Sequence, residues 1–106
     1  ILLDNAVKYS PVDSPITVSV SSNGRSCKLS IANHGEGIEK SDLPKIFDRF
    51  YRAEKSRSSS RIPGYGLGLP LAKRIVELHD GSLTADSTPG ELTVFTVQLP
   101  QVRKNR

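Results

Sequence analysis

The chain has 106 residues, of which 36% are hydrophobic and 25% are charged, the composition of one ordinary globular domain. The formal net charge is +4, but no motif that reads a nucleic-acid groove accompanies the basic residues, so no nucleic-acid partner is expected. The single cysteine, Cys27, excludes an internal disulfide and fits a reducing compartment, and no apolar run has the length of a membrane helix.

Residues 1–9 predict a helix that Pro11 ends. Its apolar side chains share one side of the helix: Leu2, Leu3, Ala6 and Val7. Three polar or aromatic side chains remain free to face a ligand: Asn5, Lys8 and Tyr9. The chain is therefore expected to begin with an amphipathic helix that can contribute to a binding site.

Two runs with an apolar residue at every second position follow and predict strands. The first run contains Ile16, Val18 and Val20, and the second contains Cys27, Leu29 and Ile31. The Asn23-Gly24 pair between them is typical of a tight hairpin turn. These residues predict an antiparallel strand pair.

A short helix and a loop are predicted in the middle of the chain. The helix would begin after Ser41, whose hydroxyl can cap it, with Pro44 early enough to be tolerated. Residues 53–63 have no periodicity and almost no apolar content, which predicts a mobile loop.

The stretch Gly64-Tyr65-Gly66-Leu67-Gly68-Leu69 places glycines at alternate positions directly before a predicted helix. Leu71, Ile75 and Leu78 repeat at helical spacing, and Pro70 would occupy the first turn, where its missing N–H is not needed. Glycines at the start of a helix let the backbone approach a ligand, and the free N–H groups of the helix favour an anion such as phosphate. A plain turn is the alternative for this stretch taken alone.

The last part of the chain predicts two strands after the helix, which is expected to end near Gly81. They cover Leu83 to Ser87 and Leu92 to Leu99, with a Pro89-Gly90 turn between them. A helix, two strands, helices and two strands in this order predict an α/β sandwich with one layer of each kind.

Four segments in chain order resemble the N, G1, F and G2 boxes of the catalytic and ATP-binding domain of sensor histidine kinases. They are Leu2–Tyr9, Asn33–Ile38, Ile46–Arg52 and Gly64–Leu69. The third segment discriminates best, because other ATPases of the wider superfamily lack it. The resemblance covers residues 1–100 and leaves 101–106 as a basic tail. It implies a domain that is truncated at its N-terminus, so that a strand and the first turns of the first helix are missing. It also implies the two-layer α/β sandwich of the GHKL (Bergerat) type, with a mixed sheet and helices on one face.

The resemblance implies that the domain binds ATP and Mg²⁺, and it gives roles to particular residues. Asn5 would coordinate the metal, since Mg²⁺ takes few protein ligands beside substrate phosphates. Lys8, on the same helix face, would place a cation near the phosphates, and Arg52 would reach the γ-phosphate. These three form the expected catalytic set. Tyr9 would pack against the nucleotide, although a ring that covers the edge of the core is the alternative.

The same resemblance supplies the remaining nucleotide contacts. Gly35 and Gly37 would let the backbone pass close to the base, and Ile38 would cover one face of it. The other expected contacts with the nucleotide are Asn33, Gly64, Gly66, Leu67, Gly68, Leu69 and Thr93. Phe47 and Phe50 would anchor the lid, residues 53–63, to the core.

Two positions depart from the family pattern. Ile1 stands where a second asparagine is usual, and Asn33 stands where an aspartate accepts a hydrogen bond from the adenine amino group. An asparagine oxygen can accept that bond without charge assistance, a difference of about 1 kcal/mol. Asn33→Asp is therefore expected to preserve or raise ATP affinity, and the ligand is expected to set the orientation of the amide.

The resemblance implies a kinase domain that donates the γ-phosphate to a histidine on the dimerisation and histidine-phosphotransfer domain of the same protein. The phosphoryl group would then pass to the receiver domain of a response regulator. The full-length protein would be a homodimer in the bacterial inner membrane, with this domain in the cytoplasm. The fragment would be a monomer unable to autophosphorylate alone, because neither His34 nor His79 lies in a phosphoacceptor context. The alternative is a nucleotide-binding interaction module without phosphoryl transfer; the third segment disfavours a serine kinase of the same superfamily.

Overall fold

The computed structural model describes residues 1–48, 65–88 and 90–101, with the side chains of 65–67 excepted. Its elements are α1 (Leu2–Tyr9), β1 (Ile16–Ser22), β2 (Ser26–His34), a 3-10 turn (Leu43–Lys45), α2 (Tyr65–Leu78), β3 (Ser82–Thr88) and β4 (Leu92–Pro100). This confirms the predicted order of helix, two strands, helices and two strands. Within these ranges no helix combines the length and the apolar character that crossing a membrane requires.

The four strands form one sheet in the order β1-β2-β4-β3, and each neighbouring pair is antiparallel. The expectation of a mixed sheet is therefore wrong for the described strands. Tight hairpins join β1 to β2 and β3 to β4, and such short connections allow only antiparallel pairing. The longer connection through α2 places β4, and not β3, beside β2.

The register of the strands gives the sheet one apolar and one polar face, because directly paired residues point to the same side. Two rows on the apolar face are Leu29–Val97–Leu83 and Ile31–Phe95–Ala85. Two rows on the opposite face are Lys28–Gln98–Ser82 and Ser30–Thr96–Thr84. Both helices pack on the apolar face, which confirms the two-layer sandwich.

The core lies between α2 and the apolar face of the sheet. Its buried members are Ile46, Leu69, Ala72, Leu83, Phe95 and Val97, and Leu2 of α1 packs against them. Leu83 is only 2% exposed, and full burial of such a side chain contributes about 1.5–3 kcal/mol. The rings of Phe47 and Phe95 meet edge to face, with centroids 6.3 Å apart. This contact confirms that Phe47 is held by the core, whereas Phe50 lies outside the described residues.

The predicted hairpin turn is confirmed. The Asn23 side-chain oxygen accepts hydrogen bonds from the N–H groups of Arg25 at 2.9 Å and Ser26 at 2.8 Å. Gly24 has φ +89°, a conformation that glycine adopts without a steric penalty. The turn therefore fixes the register in which Ser22 pairs with Cys27.

The glycine-rich stretch differs from the sequence-based expectation. Because α2 begins at Tyr65, Gly66 and Gly68 lie inside the helix, and Pro70 lies beyond the first turn. Leu69, in the second turn of this helix, packs in the core. Pro70 lacks the N–H that would bond to the carbonyl of Gly66, so the helix loses one internal hydrogen bond there.

The predicted short helix is a single 3-10 turn, and its cap is not Ser41. Asp42 occupies the N-cap position and Pro44 lies in the turn. Ile46 directly after the turn is 6% exposed. The chain must leave the turn to bury Ile46 in the core, and this requirement keeps the element short.

Candidate functional site

A row of three polar side chains crosses the apolar face at one end of the sheet. Asn33 of β2 pairs with Thr93 of β4, and Thr93 pairs with Ser87 of β3. Asn33 is 5% exposed and Thr93 is 6% exposed, so both are as buried as the core. Polar groups at this depth are kept where hydrogen bonds or a ligand satisfy them. This polar row marks the place where the hydrophobic core ends.

Hydrogen bonds connect the polar row to the loop after β2. The N–H of Ile38 donates to Ser87 Oγ at 2.8 Å, and Ser87 Oγ lies 2.8 Å from Thr93 Oγ1. At the other end of the row, Asn33 Nδ2 donates to the carbonyl of His34 at 2.8 Å. The row and the loop therefore form one connected unit.

The Asn33 amide is already oriented in the free chain. Because Nδ2 is committed to the His34 carbonyl, Oδ1 remains as the acceptor that a ligand can use. Without a ligand, a main-chain carbonyl thus orients the amide, which no side-chain pattern in the sequence indicated. The expectation that the ligand sets the orientation stays a prediction.

The loop after β2 is held closely against the end of α1. A Cβ atom built on Gly35 would lie 2.5 Å from the carbonyl oxygen of Tyr9 and 3.8 Å from Asn33 Nδ2. Gly35 has φ +149° and Gly37 has φ +81°, both in the region that favours glycine. Farther along, the N–H of Gly90 donates to the carbonyl of Glu36 at 2.8 Å. These glycines bring α1, the loop and the polar row together, and their approach to a base stays a prediction.

The helix α1, whose last carbonyl lies against this loop, carries the predicted polar side chains. Asn5 is half-buried and Lys8 is exposed, three residues apart on the same helix face. The Asn5 side chain makes no hydrogen bond to any described residue, so its amide oxygen is available to a ligand. Tyr9 is half-buried and its hydroxyl oxygen is shielded from solvent. That burial favours the alternative role of Tyr9, a ring that covers the edge of the core.

The glycine-rich segment contributes the first turns of α2. Ile1 lies beside it, with a side-chain carbon 3.6 Å from a Cβ built on Gly68. Leu69 is 4% exposed and belongs to the core, so its side chain is committed to packing. Gly66 and Leu67 offer main-chain N–H groups of a helix N-terminus, which is the arrangement that favours an anion.

Several predicted positions lie outside the described residues. They are Arg52, Gly64, the lid at 53–63 and positions 102–106 of the basic tail. The predicted residues that the fold brings to one end of the sheet are Tyr9, Asn33, Gly35, Gly37, Ile38 and Thr93. Asn5 and Lys8 lie on the helix that ends there.

Ser87 is a site residue that the sequence analysis missed. It falls on the inward face of β3 together with Leu83 and Ala85, at every second position. The period-two pattern contained this signal, because a serine at an inward position of a strand needs a hydrogen-bond partner. Its partner Ile38 is distant in sequence, so the pattern could not identify it.

The comparisons with known proteins agree with this arrangement. The family model described as "Histidine kinase-, DNA gyrase B-, and HSP90-like ATPase" matches residues 1–103. The sensor histidine kinase WalK of Bacillus subtilis is 42% identical over 101 residues, which cover 93% of this chain and 16% of WalK. The sensor protein CiaH of Streptococcus pneumoniae is 42% identical over 99 residues, which cover 93% of this chain and 22% of CiaH. The chain thus spans about a fifth of the length of these curated relatives.

Solved structures give the same result. The mycobacterial sensor histidine kinase MprB superposes with a TM-score of 0.80 at 32% identity, covering 93% of this chain and 66% of that chain. The catalytic domain of histidine kinase ThkA superposes with a TM-score of 0.78 at 22% identity, covering 96% of this chain and 63% of that chain. At this lower identity the second match shows the fold alone, the two-layer sandwich described above.

Proposed function

This chain belongs to the family of histidine kinase-, DNA gyrase B- and HSP90-like ATPases, and from that membership we propose a specific role. It is the part of a sensor histidine kinase that binds ATP with Mg²⁺ and presents the γ-phosphate for transfer to a histidine. The 42% identity to a named sensor histidine kinase favours this branch of the family.

The observation that carries the proposal is the buried pair of Asn33 and Thr93, which with Ser87 forms a polar row at the end of the apolar face. A flat, largely apolar base can pack on such a face, and one or two polar groups then fix its orientation. Asn33 Oδ1 is held as an acceptor by the bond from Nδ2 to His34, which suits the amino group of adenine. The loop glycines let the backbone approach the base closely.

The residues of α1 fit a magnesium–phosphate site. No group of three His, Cys, Asp or Glu side chains that could hold a metal exists among the described residues. Mg²⁺ bound with ATP does not need such a group, because phosphate and water oxygens fill most of its coordination positions. The amide oxygen of Asn5 would supply a protein ligand, and Lys8 would supply a cation for the phosphates. When bound, Mg²⁺ neutralises charge on the phosphate oxygens.

The contribution of this domain to phosphoryl transfer is then positioning, because the domain itself forms no covalent bond to the phosphate. Asn5 and Lys8 orient the phosphates, Asn33 and Thr93 orient the base, and Arg52 balances charge at the γ-phosphate. The acceptor histidine lies on a dimerisation and histidine-phosphotransfer domain, and the receiver domain of a response regulator takes the phosphoryl group onward. The complete protein is a homodimer in the bacterial inner membrane, with this domain on the cytoplasmic side.

The experiment that tests the proposal is a nucleotide titration with and without Mg²⁺. Asn5→Ala should lower ATP affinity in the presence of Mg²⁺ by about tenfold or more, as for the loss of a metal-site partner. Affinity without Mg²⁺ should change little, because Asn5 makes no hydrogen bond within the described fold. Asp4→Ala is the matched control, since Asp4 is an exposed neighbour on the same helix.

Two results would contradict the proposal. If the wild-type chain does not bind ATP in either condition, the assignment of the nucleotide site fails. If Asn5→Ala keeps the full Mg²⁺ dependence of the wild type, Asn5 is not the metal ligand, and the metal part of the proposal fails.

A further inference from the structure

We propose that Ser87 is a positioning residue that fixes the direction of the Thr93 hydroxyl, so that the site selects a 6-aminopurine over a 6-oxopurine. This inference rests on the proposed ATP site and adds to it a residue that touches no ligand. The carrying observation is the continuous path from the N–H of Ile38 through Ser87 Oγ to Thr93 Oγ1, with both steps at 2.8 Å.

The direction of the hydrogen bonds follows from the number of protons available. A serine hydroxyl has one proton to donate, and Ser87 Oγ already accepts the proton of Ile38 N–H. A hydroxyl that accepts a hydrogen bond becomes a better donor. An arrangement in which Ser87 accepts from Ile38 and donates to Thr93 is therefore favoured over one in which Ser87 Oγ accepts from both. Ser87 therefore donates to Thr93 Oγ1. The proton of Thr93 has no acceptor among the described residues and is left for a ligand.

Asn33 provides the complementary group beside Thr93. Because its Nδ2 is held by the carbonyl of His34, its Oδ1 is an acceptor. The two residues are direct partners across β2 and β4, which places their Cβ atoms about 4.5–5.5 Å apart. One acceptor beside one donor matches the edge of adenine, where an amino group adjoins an unprotonated ring nitrogen. A 6-oxopurine reverses both positions, since a carbonyl adjoins a ring N–H.

Ser87 thus contributes to base selection without contact with the base. If it is removed, the Thr93 hydroxyl loses the donor that holds its direction and can rotate to accept a proton. The site then accepts a ring N–H opposite Thr93, although Asn33 Oδ1 still disfavours a carbonyl, so selection for the 6-aminopurine weakens without being lost. A purely structural role for Ser87 would instead weaken the binding of every nucleotide to the same extent.

The test compares ATP with inosine triphosphate, which differs at the purine edge, for the wild type and Ser87→Ala. We expect the ratio of ATP to inosine triphosphate affinity to fall by about tenfold in Ser87→Ala, as for one hydrogen bond. Ser87→Thr, which keeps the hydroxyl, should retain the wild-type ratio. Ser82→Ala is the matched control, because Ser82 is exposed on the opposite face of the same strand.

An unchanged ratio in folded Ser87→Ala, or an equal loss of affinity for both nucleotides, overturns the inference. If Ser87→Ala does not fold, Ser87→Cys replaces it, since a thiol of similar shape is a weak donor and should lower the same ratio. A wild-type ratio in Ser87→Cys likewise overturns it. Failure of the wild type to bind ATP overturns the proposed function itself, which the wild-type titration alone reveals.

Discussion

Replacing Gly35 by alanine tests whether the contact between the loop and α1 holds the site together. The added Cβ would lie 2.5 Å from the carbonyl oxygen of Tyr9, a main-chain atom that cannot rotate away. The positive φ of Gly35 also penalises alanine, by about 1–3 kcal/mol. Forcing extra volume into a packed contact adds about 1–3 kcal/mol. Gly35→Ala should therefore lower the free energy of unfolding by about 2–6 kcal/mol.

Gly24→Ala is the matched control, because Gly24 also has positive φ but a Cβ added there would meet no atom within 4 Å. It should carry only the conformational penalty of about 1–2 kcal/mol. Urea unfolding gives both values, and the larger loss expected in Gly35→Ala reports the contact with Tyr9 together with the more restricted φ of Gly35. ATP affinity should fall in Gly35→Ala and stay unchanged in Gly24→Ala, since only Gly35 adjoins Asn33. Equal destabilisation in the two variants would refute the reasoning.

Three further substitutions follow from the described contacts. Asp80→Gly should raise the free energy of unfolding by about 1 kcal/mol, because Asp80 has φ +63° and carries a negative charge at the C-terminal end of α2. Urea unfolding checks this value against Asp80→Asn, which removes only the charge, and a loss of stability in Asp80→Gly would contradict it. Asn33→Asp gains charge at the ligand but loses the bond from Nδ2 to His34, so ATP affinity should stay within about threefold of the wild type. A tenfold gain in a nucleotide titration would show that the bond to His34 is unimportant. Pro70→Ala should stabilise the fold by about 1–3 kcal/mol, as it restores the N–H that can bond to the carbonyl of Gly66. Thermal unfolding measures it, and an unchanged midpoint would mean that the helix does not need this bond.

The local elements of this protein were predictable from the sequence because short-range physics determines them. Pro11 disfavours helical backbone in the preceding residue, and α1 indeed ends at Tyr9 with Ser10 extended. Asn23 supplies its turn with hydrogen bonds over two and three residues, so the hairpin needs no distant partner. The family was also predictable, because each of the four ordered motifs is a short contiguous segment that can be recognised without the fold.

Burial depended on tertiary structure, since it is set by what packs over a strand. Val18 and Val20 follow the same alternating pattern as Ile31 and Leu29, their partners on β2. Yet Val18 is 51% exposed and Val20 is 67% exposed, while Ile31 is 4% exposed. Periodicity assigns residues to a face of the sheet, but it does not say which part of that face another element covers.

The orientation of the site's polar groups was likewise decided by contacts between distant segments. Ser87 accepts a hydrogen bond from the N–H of Ile38, which is 49 positions away in the sequence. Glycine is required at position 35 because the carbonyl of Tyr9 lies against it in the fold. The sequence determined which residue types reach the end of the sheet. Only the fold determined which of them donate, which accept and which are committed to the core, because a hydrogen bond requires its two partners to be adjacent in space.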